Sequence, residues 1–201
     1  MNKLLVVNLY GVPSAGKSTG ASFVFSMLKM CGVNAELVTE FAKDKVWENN
    51  EEVFRNQAYI FGKQLFKITR CEEKVEVSVT DSPIMLSAFY NKDMPKCFEE
   101  TVKEIAKKYD SVDFLLDRVK PYNPVGRHQT EEESDALLPR MIDMLDKFGV
   151  NVKVADGWVN GYDAIVEEVL TRLDPSNERK LREKYLQILE DISNIFKEKI
   201  K

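Results

Sequence analysis

Residues 4–19 read LLVVNLYGVPSAGKST. The first six are short and nearly all apolar, as expected of a strand buried on both faces. They run into a turn bracketed by Gly11 and Gly16 and closed by Lys17, Ser18 and Thr19. The turn fits GxxxxGK[ST] without a mismatch, and each part has a chemical reason. The glycines let the backbone fold back, so that the segment carrying Pro13, Ser14, Ala15 and Gly16 aims its N–H groups at phosphate oxygens. Ala21, Val24, Phe25 and Leu28 then follow helical spacing, and the positive end of that helix adds to the attraction. Lys17 is expected on the β- and γ-phosphates, and the Ser18 hydroxyl on magnesium. The stretch predicts a site for a nucleoside triphosphate.

Outward from this loop, apolar runs alternate with helical patterns. Residues 35–39, 74–80, 112–116 and 150–155 read as four more strands. Val53, Phe54, Ala58, Phe61, Leu65 and Ile68 form one helical stripe, and Gly32 and Gly149 end two helices. Strands separated by helices of this length imply a parallel α/β sheet with helices on both faces, whose ligands gather at the carboxyl ends of the strands. Asp174-Pro175 ends the pattern. Beyond it Leu181, Tyr185, Ile188, Ile192 and Ile195 mark an amphipathic helix. That helix packs on its own domain, or forms a dimer seam, or meets a partner.

A chain of 201 residues with 44% hydrophobic content supports one well-buried core. The net charge of −4 excludes a broad basic footprint for nucleic acid, although not a local groove. Cys31, Cys71 and Cys97 are odd in number and lack a CxxC spacing, which suits a reduced compartment. No run approaches the roughly 18 apolar residues of a membrane span. The N-terminal segment reads as a strand and not a signal peptide, so a cytoplasmic protein is expected.

The other strand ends carry the remaining chemistry. Asp81 ends the β-branched third strand, where it can hold magnesium directly or through water; capping a following helix is its structural alternative. Glu40 ends the second strand and can accept the proton of a substrate hydroxyl, with Asp44 a weaker candidate. After the fourth strand, DRVKPYNPVGRHQT (117–130) contains two prolines and a glycine, which forbid continuous helix. Its Arg118 and Arg127 suit a phosphoryl-transfer lid, and Thr130 with Glu133 forms a capping box for the next helix. His128 is the only histidine, so no histidine metal cluster exists. Asn91-Lys92-Asp93 places its acid one position too early for a guanine reader. Asp81 is followed by Ser82 and not by a water-activating acid. Both points weigh against a GTPase switch or a mechanical ATPase. Trp47, Tyr59, Phe61, Tyr90 and Tyr122 are candidates for a base pocket or for packing.

VVNLYGVPSAGKST, AELVTEFAKDKVWE, VTDSP and DRVKPYNPVGRHQTEEES together resemble a group of small phage and bacterial P-loop proteins. These are described as AAA-type ATPases and are related to the ribosylnicotinamide kinase domain. The resemblance covers about residues 3–170, and within the group the sequence is similar to phage kinases that phosphorylate 5-hydroxymethyluracil in DNA. It implies that Lys17 and Ser18 hold ATP and Mg²⁺, that Glu40 and Asp81 flank the acceptor hydroxyl and the metal, and that Arg118 and Arg127 belong to the lid. For a phage protein it implies the host cytoplasm. A DNA substrate would need a basic channel, for which Lys92, Lys96, Lys103, Lys107 and Lys120 are sources.

The resulting expectation is a P-loop kinase fold with a parallel sheet in the order 2-3-1-4-5. Residues 1–174 form the kinase domain, with a lid at about 118–130, and residues 175–201 the C-terminal helix. The expected reaction is transfer of the ATP γ-phosphoryl group to a nucleoside-type hydroxyl. 5-Hydroxymethyluracil in DNA is the first choice of acceptor. A free nucleoside or nucleotide, including nicotinamide riboside, is the alternative. An ATP-gated binding protein acting through its terminal helix is the rival from another class.

Overall fold

Five parallel strands form one sheet in the order β2-β3-β1-β4-β5. They are β1 (Leu5–Tyr10), β2 (Ala35–Val38), β3 (Val77–Thr80), β4 (Asp110–Asp117) and β5 (Val152–Asp156). The order is the one expected from sequence. The structure is a computed structural model and describes residues 3–42, 45, 48, 51–92, 94–125 and 130–199.

Because strand side chains alternate, β1 serves two cores. Val7 and Leu9 join Val112, Phe114 and Leu116 of β4 on one face. That face is covered by α1 (Lys17–Met30), α7 (Val159–Leu173) and α8 (Leu181–Lys199). Val6 and Tyr10 join Leu115 on the other face. It is covered by α2 (Gln57–Thr69), α3 (Leu86–Phe89), α4 (Lys96–Ala106) and α6 (Leu137–Lys147). The short helix α5 (Glu131–Asp135) leads into α6. Its start is the expected capping box: Thr130 Oγ1 accepts the Glu133 N–H, and the Glu133 carboxylate accepts the Thr130 N–H.

Two expectations change. Val53 and Phe54 do not extend the α2 stripe; they lie in a 3-10 turn, Glu51–Arg55. Asn56 breaks the pattern, because its side chain accepts the Tyr59 N–H and caps α2 there. The third strand starts at Val77 and not at Lys74, because Lys74 closes a turn onto the Cys71 carbonyl. The cysteines are free, with Cys31 and Cys71 buried and Cys97 exposed.

The C-terminal helix packs its first turns onto the α1/α7 face. Asp174 is buried and accepts the N–H groups of Arg179 (3.1 Å) and Leu181 (3.2 Å), which fixes where α8 begins. Leu181 and Tyr185 are then fully enclosed. Burial of a leucine side chain stabilises by about 1.5–3 kcal/mol relative to exposure. Leu186 and Ile195 of the same helix are exposed.

Candidate phosphate-transfer site

The loop, strand-end acid and arginine candidates that the structure describes fall at the carboxyl edge of the sheet. Gly11 follows β1, Glu40 lies just beyond β2, Asp81 follows β3, Arg118 follows β4 and Gly157 follows β5. The phosphate-binding loop has positive φ at Gly11 (144°), Ser14 (69°) and Gly16 (91°), a backbone that turns N–H groups inward. The α1 helix starts at Gly16 with no side-chain cap and no acid in its first turn, so its leading N–H groups are left for an anion. Lys17 Nζ donates to the Gly11 carbonyl (2.8 Å) and the Val12 carbonyl (3.1 Å), folded back over the loop. Ser18 and Thr19 are exposed in the first turn.

Three contacts hold this loop, and none follows from the motif. Gly157 lies so close beneath it that a Cβ would penetrate the Ala15 carbonyl oxygen, while its own N–H donates to the Asp117 carbonyl (2.8 Å). The Tyr162 hydroxyl, buried at the start of α7, donates to the Gly157 carbonyl (2.7 Å) and reaches the Gly16 carbonyl (3.0 Å). Burial raises the pKa of this phenol, which keeps its proton on oxygen. Ser134 of α5, fully buried, donates to the Pro13 carbonyl (3.0 Å). A lone glycine directly after a strand was the available signal for Gly157; Tyr162 and Ser134 carried none.

Across the edge, Asp81 is 5% exposed and its Oδ1 accepts the Glu40 backbone N–H (3.0 Å). It therefore ties the ends of β2 and β3 and does not cap a helix. Gln64 of α2, 2% exposed, accepts the Phe41 N–H (3.1 Å) and donates to Thr80 Oγ1 (3.4 Å). Gln64 was not anticipated, because a glutamine on a helix stripe is usually a solvated position. Tyr90 lies nearby: burial pushes its phenol up to about 12, the Glu40 charge adds to the rise, and Arg140 opposes it. The other candidate aromatics divide. Phe61 packs edge-on against Phe98 in the core, and Tyr59 is exposed against Phe41.

Arg118 is clamped. Its Nη2 pairs with Asp135 and with Glu131 (3.3 Å), its guanidinium lies 5.4 Å from the Tyr122 ring centre, and its Nη1 is buried without a hydrogen-bond partner among the described residues. The segment after β4 touches the loop where the Asn123 N–H donates to Ser14 Oγ (3.0 Å). Lys120 Nζ lies 3.5 Å from the ring centre of Trp158, which is half-exposed beside Gly157. Arg127, His128, Asp44 and Trp47 lie outside the described residues.

Two of the five candidate channel lysines lie away from Lys120. Lys103 and Lys107 precede β4, whereas Lys120 follows it, and a strand of that length separates them by roughly 23 Å at about 3.3 Å per residue. The donor set fits magnesium. The Ser18 hydroxyl and the Asp81 carboxylate are hard oxygen donors of the kind magnesium takes, and a magnesium ion draws its other ligands from phosphate and water. No cluster of three or more His, Cys, Asp or Glu suited to a tighter metal occurs among the described residues. Among those residues, no helix is long and apolar enough to cross a membrane.

Fold, loop and strand-end acids together define a P-loop kinase fold. The chain belongs to an AAA domain family, whose model matches residues 6–160. No curated protein matches the sequence. Among solved structures it is similar to thymidylate kinase from Ehrlichia chaffeensis, with TM-score 0.53 and 13% identity over 86% of this chain and 100% of that one. It is also similar to deoxyadenosine kinase from M. mycoides with products dCMP and dCDP bound. There the TM-score is 0.50 and the identity 15%, over 85% of this chain and 99% of that one. At these identities the likeness is one of fold.

Proposed function

We propose that this protein is a magnesium-dependent kinase that transfers the γ-phosphoryl group of ATP to a hydroxyl of a nucleoside-type acceptor. The supporting observation is the division of the carboxyl edge: a phosphate-binding loop with Lys17 over β1, and Glu40 tied to Asp81 over β2 and β3. Lys17 exchanges the Gly11 and Val12 carbonyls for β- and γ-phosphate oxygens when ATP binds. Glu40 takes the proton of the acceptor hydroxyl as its oxygen bonds to the γ-phosphorus, and the bond to the bridging oxygen breaks to release ADP. Ser18 and Asp81 would hold magnesium, which when bound would neutralise charge on the phosphates. Arg118 trades part of its Asp135 and Glu131 clamp for the transferring group, with Arg127 a second lid candidate. Trp158 offers a face for the base of ATP.

For the acceptor, the TEFAKD and lid segments favour 5-hydroxymethyluracil in DNA. A second reading, a free nucleoside or nucleotide, is favoured by the separation of Lys103 and Lys107 from Lys120. Transfer of radiolabelled γ-phosphate from ATP with magnesium tests both, using modified DNA, ordinary DNA, nucleosides and nucleotides as acceptors. Label in the modified DNA alone selects the first reading, and label in a small molecule selects the second. Lys17→Ala is expected to lower turnover by about 10³-fold or more while the melting temperature holds. Label in no acceptor by the native chain, or near-native transfer by this variant, overturns the kinase reading.

A further inference from the structure

At the opposite, amino edge of the sheet lies a cavity of about 410 Å³, lined by β1, β4, the end of α4 and the turn that enters β5. Its volume is within the roughly 300–1,000 Å³ of small-ligand sites. It exists because β5 starts late: its pairing with β4 begins at Asp113↔Val152, so residues 110–112 run past the end of β5. The wall carries a polar cluster that phosphate transfer does not use. Asp113 is 9% exposed, accepts from Asn8 Nδ2 (2.9 Å) and Ser111 Oγ (2.6 Å), and is hydrogen-bonded by the Tyr10 hydroxyl. Burying a carboxylate in a sheet face costs several kcal/mol even when it is hydrogen-bonded, and its neighbours on that face, Val6 and Leu115, are apolar. Burial accordingly raises the Asp113 pKa, against the pull of its three donors and Arg172.

The surroundings specify an occupant. Val6, Ile68, Ile84 and Phe148 supply apolar walls, and the lining holds four cationic residues, Lys103, Lys107, Lys153 and Arg172, against the acids Asp113 and Glu168. Lys153 pairs with Glu168, Arg172 with Asp110 and Lys107 with Glu104. Lys103 enters no salt bridge with a described residue and lies 5.5 Å from the Phe148 ring centre. We propose that this cavity is a second, non-catalytic site for a nucleoside monophosphate, with an amino or imide N–H of the base donating to Asp113 and the phosphate at the Lys103/Lys107 mouth. The proposal stands apart from the kinase reading, because it uses none of the residues given a role in phosphate transfer.

The test is calorimetric titration of the full chain, saturated with magnesium and a non-hydrolysable ATP analogue. AMP, dCMP, dTMP and inorganic phosphate are the probes. One-to-one binding of at least one nucleotide is expected, weakened about tenfold or more by the surface double variant Lys103→Glu/Lys107→Glu and by Asp113→Asn. Affinity for the ATP analogue should be unchanged in both variants. If Asp113→Asn does not fold, the surface variant decides. Absence of nucleotide binding at millimolar concentration overturns the proposal. So does binding that neither variant weakens, which would place the nucleotide at the carboxyl edge. Phosphate binding as tight as that of the nucleotides would show a basic mouth alone, and overturns it too.

Discussion

The two halves of the carboxyl edge are held by different means. Over β1 and β5 the phosphate-binding loop is gripped through main-chain groups: Gly157 beneath Ala15, the Tyr162 hydroxyl on the Gly157 carbonyl, and Ser134 on the Pro13 carbonyl. Over β2 and β3 the acids are positioned by side chains that accept backbone N–H groups, Asp81 from Glu40 and Gln64 from Phe41. In the proposed kinase the first half presents a fixed row of N–H groups to phosphate, and its constraints are steric and tolerate almost no added atoms. In the same proposal the second half aims a carboxylate at a hydroxyl, and its constraints are hydrogen bonds whose loss misorients before it unfolds.

The sharpest break in the contrast is Gly157→Ala. The added methyl meets the Ala15 carbonyl oxygen and the Asp117 carbonyl. A shift of the loop by even a few tenths of an ångström is expected to abolish ATP binding and to cost about 3 kcal/mol or more in stability; calorimetry and thermal melting read the two. Normal ATP affinity in that variant would show that the loop is not held from below.

On the other half, Glu40→Gln is expected to lower kcat by about 10²–10⁴-fold with ATP affinity retained. Steady-state kinetics beside an ATP-binding titration separates the halves, and an unchanged kcat removes Glu40 as the base. Gln64→Leu leaves the half-buried Phe41 N–H without its partner, at a cost of about 1 kcal/mol or more. The acceptor KM should rise more than the KM for ATP, and equal changes would mean that Gln64 serves packing alone. Tyr162→Phe is the mildest. It removes one hydroxyl beneath the loop and should cost about 1 kcal/mol, seen as a small fall in melting temperature and weaker ATP binding. An effect as large as that of Gly157→Ala would mean that the hydroxyl, and not the close backbone approach, holds the loop.

The terminal helix shows how far periodicity reaches. Spacing alone marked Leu181, Tyr185, Ile188, Ile192 and Ile195 as one apolar stripe. The fold encloses Leu181 and Tyr185 fully and leaves Ile195 exposed, because α8 runs past the end of the face that α1 and α7 offer. Similarly, Val53 and Phe54 had the spacing of α2 but were cut off by the Asn56 cap. Periodicity registers a helical face; it does not register what stands opposite.

From the chain alone came the parallel α/β sheet and its strand order, the phosphate-binding loop with Gly11, Gly16, Lys17 and Ser18, and Glu40 and Asp81 as strand-end acids. These are local facts, set by apolar runs, glycine spacing and the position of an acid after a strand. The grip of Gly157, Tyr162 and Ser134 on the loop, the burial of Gln64, the clamp on Arg118 and the cavity around Asp113 belong to tertiary structure. Each depends on segments far apart in sequence meeting within hydrogen-bond distance. Asn8 and Asp113 are 105 positions apart, and no local pattern encodes that encounter.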